Sequence, residues 1–293
     1  MPARQPFTAL CQSLARPRLA GRADLHLHTT HSDGTYTPAQ LVDLARRSGM
    51  SAIAVTDHDT LAGVVPARTA AAAYPLEIIA GAEISCVFEG RELHLLAYFV
   101  ALDDLALNAA LDGIRRGRVE RFREMVERLR LLGVSVAEME PETIPDTLGR
   151  PHLAELIVKA GGAGSVREAF NRYLRDGGRV DVPKKRLPIA EALSLVRAAG
   201  GVAAWAHPSY HCDQRQLGVL CALGLGGIEI EYPDTTPTRR RELRAWATAL
   251  SLAVTGGSDC HGPGRRAVGA CSISAEELER LRGKAEVRVQ KSE

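Results

Sequence analysis

The chain has 293 residues, 45% hydrophobic and 25% charged, with 37 Lys and Arg against 35 Asp and Glu for a net charge of +2. That length exceeds the usual single-domain size and can bury a full core. The near-neutral charge excludes a bulk polyelectrolyte partner, so stable binding of duplex DNA is not expected and any nucleic-acid contact must come from local patches. Six cysteines (Cys11, Cys86, Cys212, Cys221, Cys260 and Cys271) form no C-x-x-C pair and read as reduced thiols of a cytoplasmic protein. No stretch approaches the ~20 apolar residues of a membrane span.

Residues 1–22 carry Arg4, Arg16, Arg18 and Arg22 and no acid, and read as an N-terminal extension with a short helix at 7–14. They lack the unbroken apolar run of a signal peptide. From Ala23 the pattern alternates. Residues 24–28 read as a short strand. Thr37 then Pro38 supplies the N-cap and first residue of a helix that runs to Ser48 and stops at Gly49. Residues 52–56 read as a buried strand, 62–73 as an Ala-rich helix, 76–79 as a short strand leading into 81–85, and 92–99 as a strand carrying His94. This repetition predicts a parallel α/β sheet or barrel. The rhythm breaks over 105–185. There, Ile114, Phe122, Met125, Val126, Leu129 and Leu132 mark the apolar face of a long helix, and short helices follow near 152–160 and 166–174. The segment reads as a helical insertion of 105–185 within a barrel made from 23–104 and 186–293. After Pro188 come helices at 189–198, 216–223, 237–251 and 275–282, and strands at 202–206, 227–231 and 252–255.

Nitrogen and oxygen donors sit where apolar runs give way to loops. In Asp24-Leu25-His26-Leu27-His28, alternate residues of an extended chain put two imidazoles on one face. Then follow Asp33, Thr56-Asp57-His58-Asp59, Glu83, His94, His207-Pro208, Glu229 and Ser258-Asp259-Cys260-His261. The C-terminal ends of parallel barrel strands converge on one mouth. Each residue alone has an ordinary explanation, since a histidine ending a strand packs or caps and an Asp-His-Asp caps a helix. Their succession argues for a metal centre of imidazole and carboxylate ligands, a mixture that suits Zn, Mn or Fe. By the same alternation, Cys260 points away from Asp259 and His261, into packing.

These motifs, in this order over about Ala23 to Pro263, resemble the polymerase-and-histidinol-phosphatase (PHP) family. The resemblance implies a distorted seven-stranded β/α barrel with a cluster of divalent ions, often three, in its mouth. Carried over position by position, it implies one ion on His26, His28, Glu83 and Asp259. Glu83 would bridge to a second ion on His94 and His207, and a third would lie on Asp33, His58 and His261. The branch it most resembles carries a helical insertion and comprises 3′,5′-nucleoside bisphosphate phosphatases that also trim short oligoribonucleotides from the 5′ end.

Clustered cations favour phosphoester hydrolysis, because a water becomes nucleophilic near neutral pH and the phosphoryl charge is neutralised. His207, Asp57 and Glu229 are the candidates for moving protons. Seven arginines between 115 and 130 face only Glu120, Glu124 and Glu127. Many belong to i,i+3 and i,i+4 pairs on a solvated helix; Arg118, Arg121 and Arg150, with His152, are the expected phosphate contacts. Lys184 and Lys185 are further candidates. The expected substrate is a nucleotide or short oligonucleotide. Three other readings compete with this one. They are a histidinol-phosphate phosphatase, a C–N hydrolase (which lacks its metal-bridging lysine here) and a non-catalytic scaffold or polymerase-associated module (which tends to lose ligands that this chain keeps).

Overall fold

The computed structural model describes residues 21–137 and 148–289, with the side chains of 287–289 excepted. The expected helix at 7–14 lies outside the described residues. The strands are β1 (Arg22–Asp24), β2 (Met50–Val55), β3 (Glu77–Phe88), β4 (Arg91–Tyr98), β5 (Leu187–Pro188), β6 (Val202–Trp205), β7 (Gly227–Glu231), β8 (Ala253–Gly256) and β9 (Ile273–Ser274). The helices are α1 (Pro38–Arg47), α2 (Val64–Ala71), α3 (Leu105–Leu131), α4 (Arg150–Lys159), α5 (Val166–Ala169), α6 (Ile189–Ala198), α7 (Gln214–Leu223), α8 (Pro237–Ala249) and α9 (Ala275–Val289). A π-helical turn, Phe170–Leu174, continues α5.

One sheet runs β8-β7-β6-β4-β3-β2-β1-β9, with β5 on β3. It curls into a nearly closed barrel. The seam between β8 and β1 is stitched by backbone bonds from Leu25 N–H to the Gly256 carbonyl (3.0 Å), Asp259 N–H to His26 (2.8 Å) and His28 N–H to Cys260 (3.1 Å). Seven strands have three or more residues among those described.

The all-parallel expectation needs correction. β4 is antiparallel to both β3 and β6, and β9 is antiparallel to β1. Glu89 and Gly90, with φ of 49° and 74°, make the tight turn that folds β4 back on β3. The short strand expected at 76–79, leading into 81–85, is part of one strand of 12 residues. β1 ends at Asp24, so His26 and His28 lie just beyond it on extended chain held by the seam.

Helix starts follow their caps. The Thr37 hydroxyl accepts the Gln40 N–H, the Gln40 side chain returns to the Thr37 N–H, and Pro38 fills the first turn. The barrel interior is apolar below the mouth. Leu25, Ala54, Ile79, Leu96 and Val202 cluster with Leu278 and Leu281 of α9, which closes the lower end. The segment between β4 and β5 has its own cluster, including Phe122, Met125, Leu129, Leu153, Ile157 and Leu174. α3 is shared between the two: Leu107, Leu111 and Ile114 pack on the barrel cluster, and Phe122 to Leu129 on the separate one.

Candidate metal centre

Glu83 is the hub. It lies within β3 opposite Leu96 of β4, not at a strand end, and is 1% exposed. Its Oε2 is 3.1 Å from His26 Nε2, 3.2 Å from His28 Nε2 and 3.3 Å from His58 Nδ1. Its Oε1 is 2.8 Å from both His94 Nδ1 and His207 Nε2. Five imidazoles from both sides of the barrel thus meet one carboxylate. Asp259 Oδ1 lies 3.2 Å from His28 Nε2 and 3.4 Å from His26 Nε2, and Asp33 Oδ1 lies 3.2 Å from His261 Nε2.

Three sets of donors fall within 4.8 Å of one another: His26, His28, Glu83 and Asp259; His28, Asp33, His58 and His261; and His58, Glu83 and His94. The first has the membership that the resemblance implies. In the other two the structure brings His28 to the third group and His58 to the second, while His207 joins through Glu83 Oε1.

The residues fit divalent ions. His28 Nε2 and His58 Nδ1 are buried nitrogens without a hydrogen bond, although both face Glu83 Oε2. An unpaired buried polar atom is costly, and a cation at that point satisfies both. The donor set is imidazole nitrogen and carboxylate oxygen throughout.

Electrostatics are set by burial and crowding. Burial alone would push the Glu83 carboxyl up, but His58, His26 and His94 hold it well below the ordinary carboxylate range. Burial would also lower His28 and His94. The carboxylates of Asp259 and Glu83 raise His28 to about 9, and Glu83 with Glu92 raises His94 to about 10. At His58, burial wins and its pKa falls to about 3.

A second layer holds these groups, and sequence reasoning missed most of it. Glu229, fully buried in β7, places Oε1 2.9 Å from His26 Nδ1, and its Oε2 accepts the His207 N–H at 2.6 Å. It therefore fixes His26 with Nε2 toward Glu83. It has no access to the mouth, which corrects its expected place among the proton-moving groups. Asp57 also needs correction. It is fully buried and accepts from the Thr29 N–H (2.6 Å), the Thr29 hydroxyl (2.8 Å) and the Ser32 hydroxyl (2.7 Å), so both oxygens are spent holding the loop that carries Asp33.

The Tyr232 hydroxyl donates to Asp259 Oδ2 at 3.0 Å, where Arg266 also pairs, and the Arg266 guanidinium lies 4.9 Å from the Tyr232 ring centre. Asp24 latches the seam by accepting from Ser258 and Gly269 backbone N–H groups at 2.9 and 2.8 Å. Two of the expected ligands, His207 and Asp259, have positive φ (30° and 51°), the local strain found at functional sites. Gly257 allows the closest approach at the seam, since a Cβ there would come within 2.4 Å of the His26 nitrogen. Cys260 is buried in the outer cluster with Leu27 and Ile53.

A cavity of about 320 Å³ opens from Asp33, His58 and His94 toward the segment after β4. Arg118 and Arg121 of α3, Arg150, Lys184, Lys185 and Arg186 line it, with Leu148, Pro151 and Phe170. Arg118 pairs with buried Asp59 and donates to the Ser85 hydroxyl at 2.9 Å. Arg121 is spent on the Val182 carbonyl and Asp181, and is 9% exposed. Arg150 donates to the Leu174 carbonyl at 3.1 Å and pairs with Asp176. His152 departs from expectation. Its Nδ1 accepts the Gly149 N–H at the start of α4, and the cavity wall there is Gly149, Arg150 and Pro151.

Comparison with known proteins gives a consistent picture. Residues 24–172 match the PHP domain family. A 5′-3′ exoribonuclease of Haemophilus influenzae is 33% identical over 82% of this chain and 90% of its own length. A 3′,5′-nucleoside bisphosphate phosphatase of Chromobacterium violaceum is 30% identical over 82% of this chain and 87% of its own. A crystal structure from Bifidobacterium adolescentis, described as a metal-dependent phosphoesterase, superposes with a TM-score of 0.76 at 31% identity, covering 92% of this chain and 98% of that one. Among the described residues, no helix is long and apolar enough to cross a membrane.

Proposed function

We propose a substrate from one premise: this chain belongs to the PHP family and is a metal-dependent phosphoric ester hydrolase. The substrate is a phosphate monoester of a nucleotide, above all the 3′-phosphate of a nucleoside 3′,5′-bisphosphate, together with the 5′ end of short oligoribonucleotides. The names of the two relatives support this reading, and so does one feature of the site. The cavity that begins at His58 and His94 continues onto Arg118, Arg150 and Lys185, so a ligand with two phosphates spaced by a sugar finds charge at both ends. Histidinol phosphate carries one phosphate and a cationic amine, which the same wall repels.

His26, His28, Glu83 and Asp259 would hold one ion, and Glu83 with His94 and His207 a second, with His58 beside them. Asp33, His58 and His261 would hold a third, with His28 at hand. Mn, Zn and Fe all suit such ligands. When bound, these ions supply Lewis acidity and acidify water near neutral pH. The chain's own residues do the rest. Glu229 fixes the His26 tautomer and orientation. His207, at 29% the most exposed of the five imidazoles around Glu83, is the one of them most open to substrate. Arg118, Arg150 and Lys185 hold the distal phosphate. Residues 105–185 thus act as the substrate-binding unit on a barrel of 23–104 and 186–293.

A substrate panel on metal-defined protein tests the reading. Adenosine 3′,5′-bisphosphate and a 5′-phosphorylated dinucleotide are expected to turn over well ahead of histidinol phosphate. Preference for histidinol phosphate, or release of the 5′- rather than the 3′-phosphate from the bisphosphate, overturns it.

A further inference from the structure

We propose that Phe170 is the stacking face for the substrate's nucleobase, which divides the cavity beside the metal centre into a phosphate side and a base side. This rests on the nucleotide reading above. The cavity wall is chemically mixed. Six cationic side chains line it with the acids Asp33 and Glu92, and so do the apolar Leu148, Pro151 and Phe170. Lys185 is fixed in that wall by crossing α3 at Gly117, where a Cβ would come within 2.7 Å of Lys185 Cδ. A free phosphate or a plain sugar phosphate has no use for an apolar wall. A nucleotide is amphipathic in the same sense as the cavity, with anionic groups on its sugar and a flat π surface projecting from it.

Phe170 is the aromatic side chain in that wall. It is half-buried, packing partly against the cluster of Leu153, Leu174 and their neighbours while still lining the cavity. It also opens the π-helical turn Phe170–Leu174, an irregularity that re-aims side chains and recurs at functional sites. Stacking on an aromatic ring tolerates every base, because every base has a π face. Recognition here is therefore by ring area and not by base edge, and purines are favoured over pyrimidines without discrimination between adenine and guanine.

The competing role for Phe170 is plain filling of the cluster beneath it. Two variants separate the roles. Phe170→Leu keeps apolar volume and loses the ring, whereas Phe170→Tyr keeps the ring. In the metal-loaded enzyme, Phe170→Leu is expected to lower kcat/KM for adenosine 3′,5′-bisphosphate about 5- to 100-fold, mainly through KM. It should change kcat/KM for 1-O-methylribose 3,5-bisphosphate by less than about twofold, and Phe170→Tyr should stay close to the parent on both. A direct readout needs no turnover. Fluorescence of 2-aminopurine riboside 5′-monophosphate is quenched on binding to the parent protein, and the quenching is lost in Phe170→Leu. Equal losses on the two bisphosphates, or unchanged quenching in Phe170→Leu, overturns the proposal. Quenching without bisphosphate turnover sinks the reaction assigned above and leaves the stacking face standing. Bisphosphate turnover without quenching does the reverse.

Discussion

The barrel mouth and the segment between β4 and β5 both present charge to the same cavity, but they hold it differently. At the mouth, His26, His28 and Glu83 are buried, and each is fixed by other buried groups, with Glu229 behind His26. In the segment, Arg121 and Arg150 lean on backbone carbonyls of Val182 and Leu174, and Arg150 pairs with exposed Asp176. A buried ionic network is costly unless every member is compensated, so it tolerates one arrangement. A guanidinium held by a carbonyl and an exposed acid, as that of Arg150 is, need only be near a phosphate. The molecule places rigidity where ions and reacting atoms must be positioned and adaptable charge where substrate must be gripped.

Removing the hub tests this contrast most severely. Glu83→Gln is expected to lower metal content and turnover by at least about a hundredfold, beyond the effect of losing an outer partner, with circular dichroism unchanged. Metal retained at parental stoichiometry would show that the imidazoles suffice.

The next largest effect is that of pH. Without ions, His28 and His94 titrate at about 9 and about 10, so both carry protons at neutral pH. Ions need the free nitrogens. Affinity should therefore rise from neutral pH through that range and level off above it, with proton release measurable calorimetrically in buffers of different ionisation enthalpy. Affinity independent of pH would contradict the assignment.

Glu229→Gln reaches the second layer. It is expected to weaken metal binding about 10- to 100-fold without touching the cavity. Arg150→Ala probes the other region. It should lower kcat/KM for the bisphosphate about tenfold, the scale of a charged hydrogen bond, and leave a plain nucleoside monophosphate and the metal content nearly unchanged. Equal losses on both substrates would remove the distinction between the regions. Smallest is Tyr232→Phe, which deletes one of two donors to Asp259 Oδ2 and should weaken metal binding about threefold.

How much of this the sequence discloses also divides by region. His26 and His28 were legible because alternation survives in extended chain even past the end of β1. The family resemblance, and not the spacing, supplied the sharing of Glu83 among ions, since an acid inside a 12-residue strand has no local signature. Glu89-Gly90 carries the turn that reverses β4, a signal that a parallel reading passes over. Asp57 and Glu229 were misjudged because a carboxylate beside a site looks the same in sequence whether it faces the cavity or the wall behind it. Only packing, here against Thr29, Ser32 and His26, separates the two. Around α3 the arginines were countable but not assignable. One helix serves two cores, so apolar residues occupy different faces along its length and no single stripe marks what remains outward.

The seam between β8 and β1 has a consequence for biosynthesis. The stitches that join the two ends of the sheet run through the backbones of His26, His28 and Asp259. His26 and His28 therefore wait for a segment about 230 residues further along the chain, which both completes the wall and brings in Asp259. Metal loading of the set proposed above would follow synthesis of that segment: a C-terminally truncated chain has the histidines but no vessel to put them in.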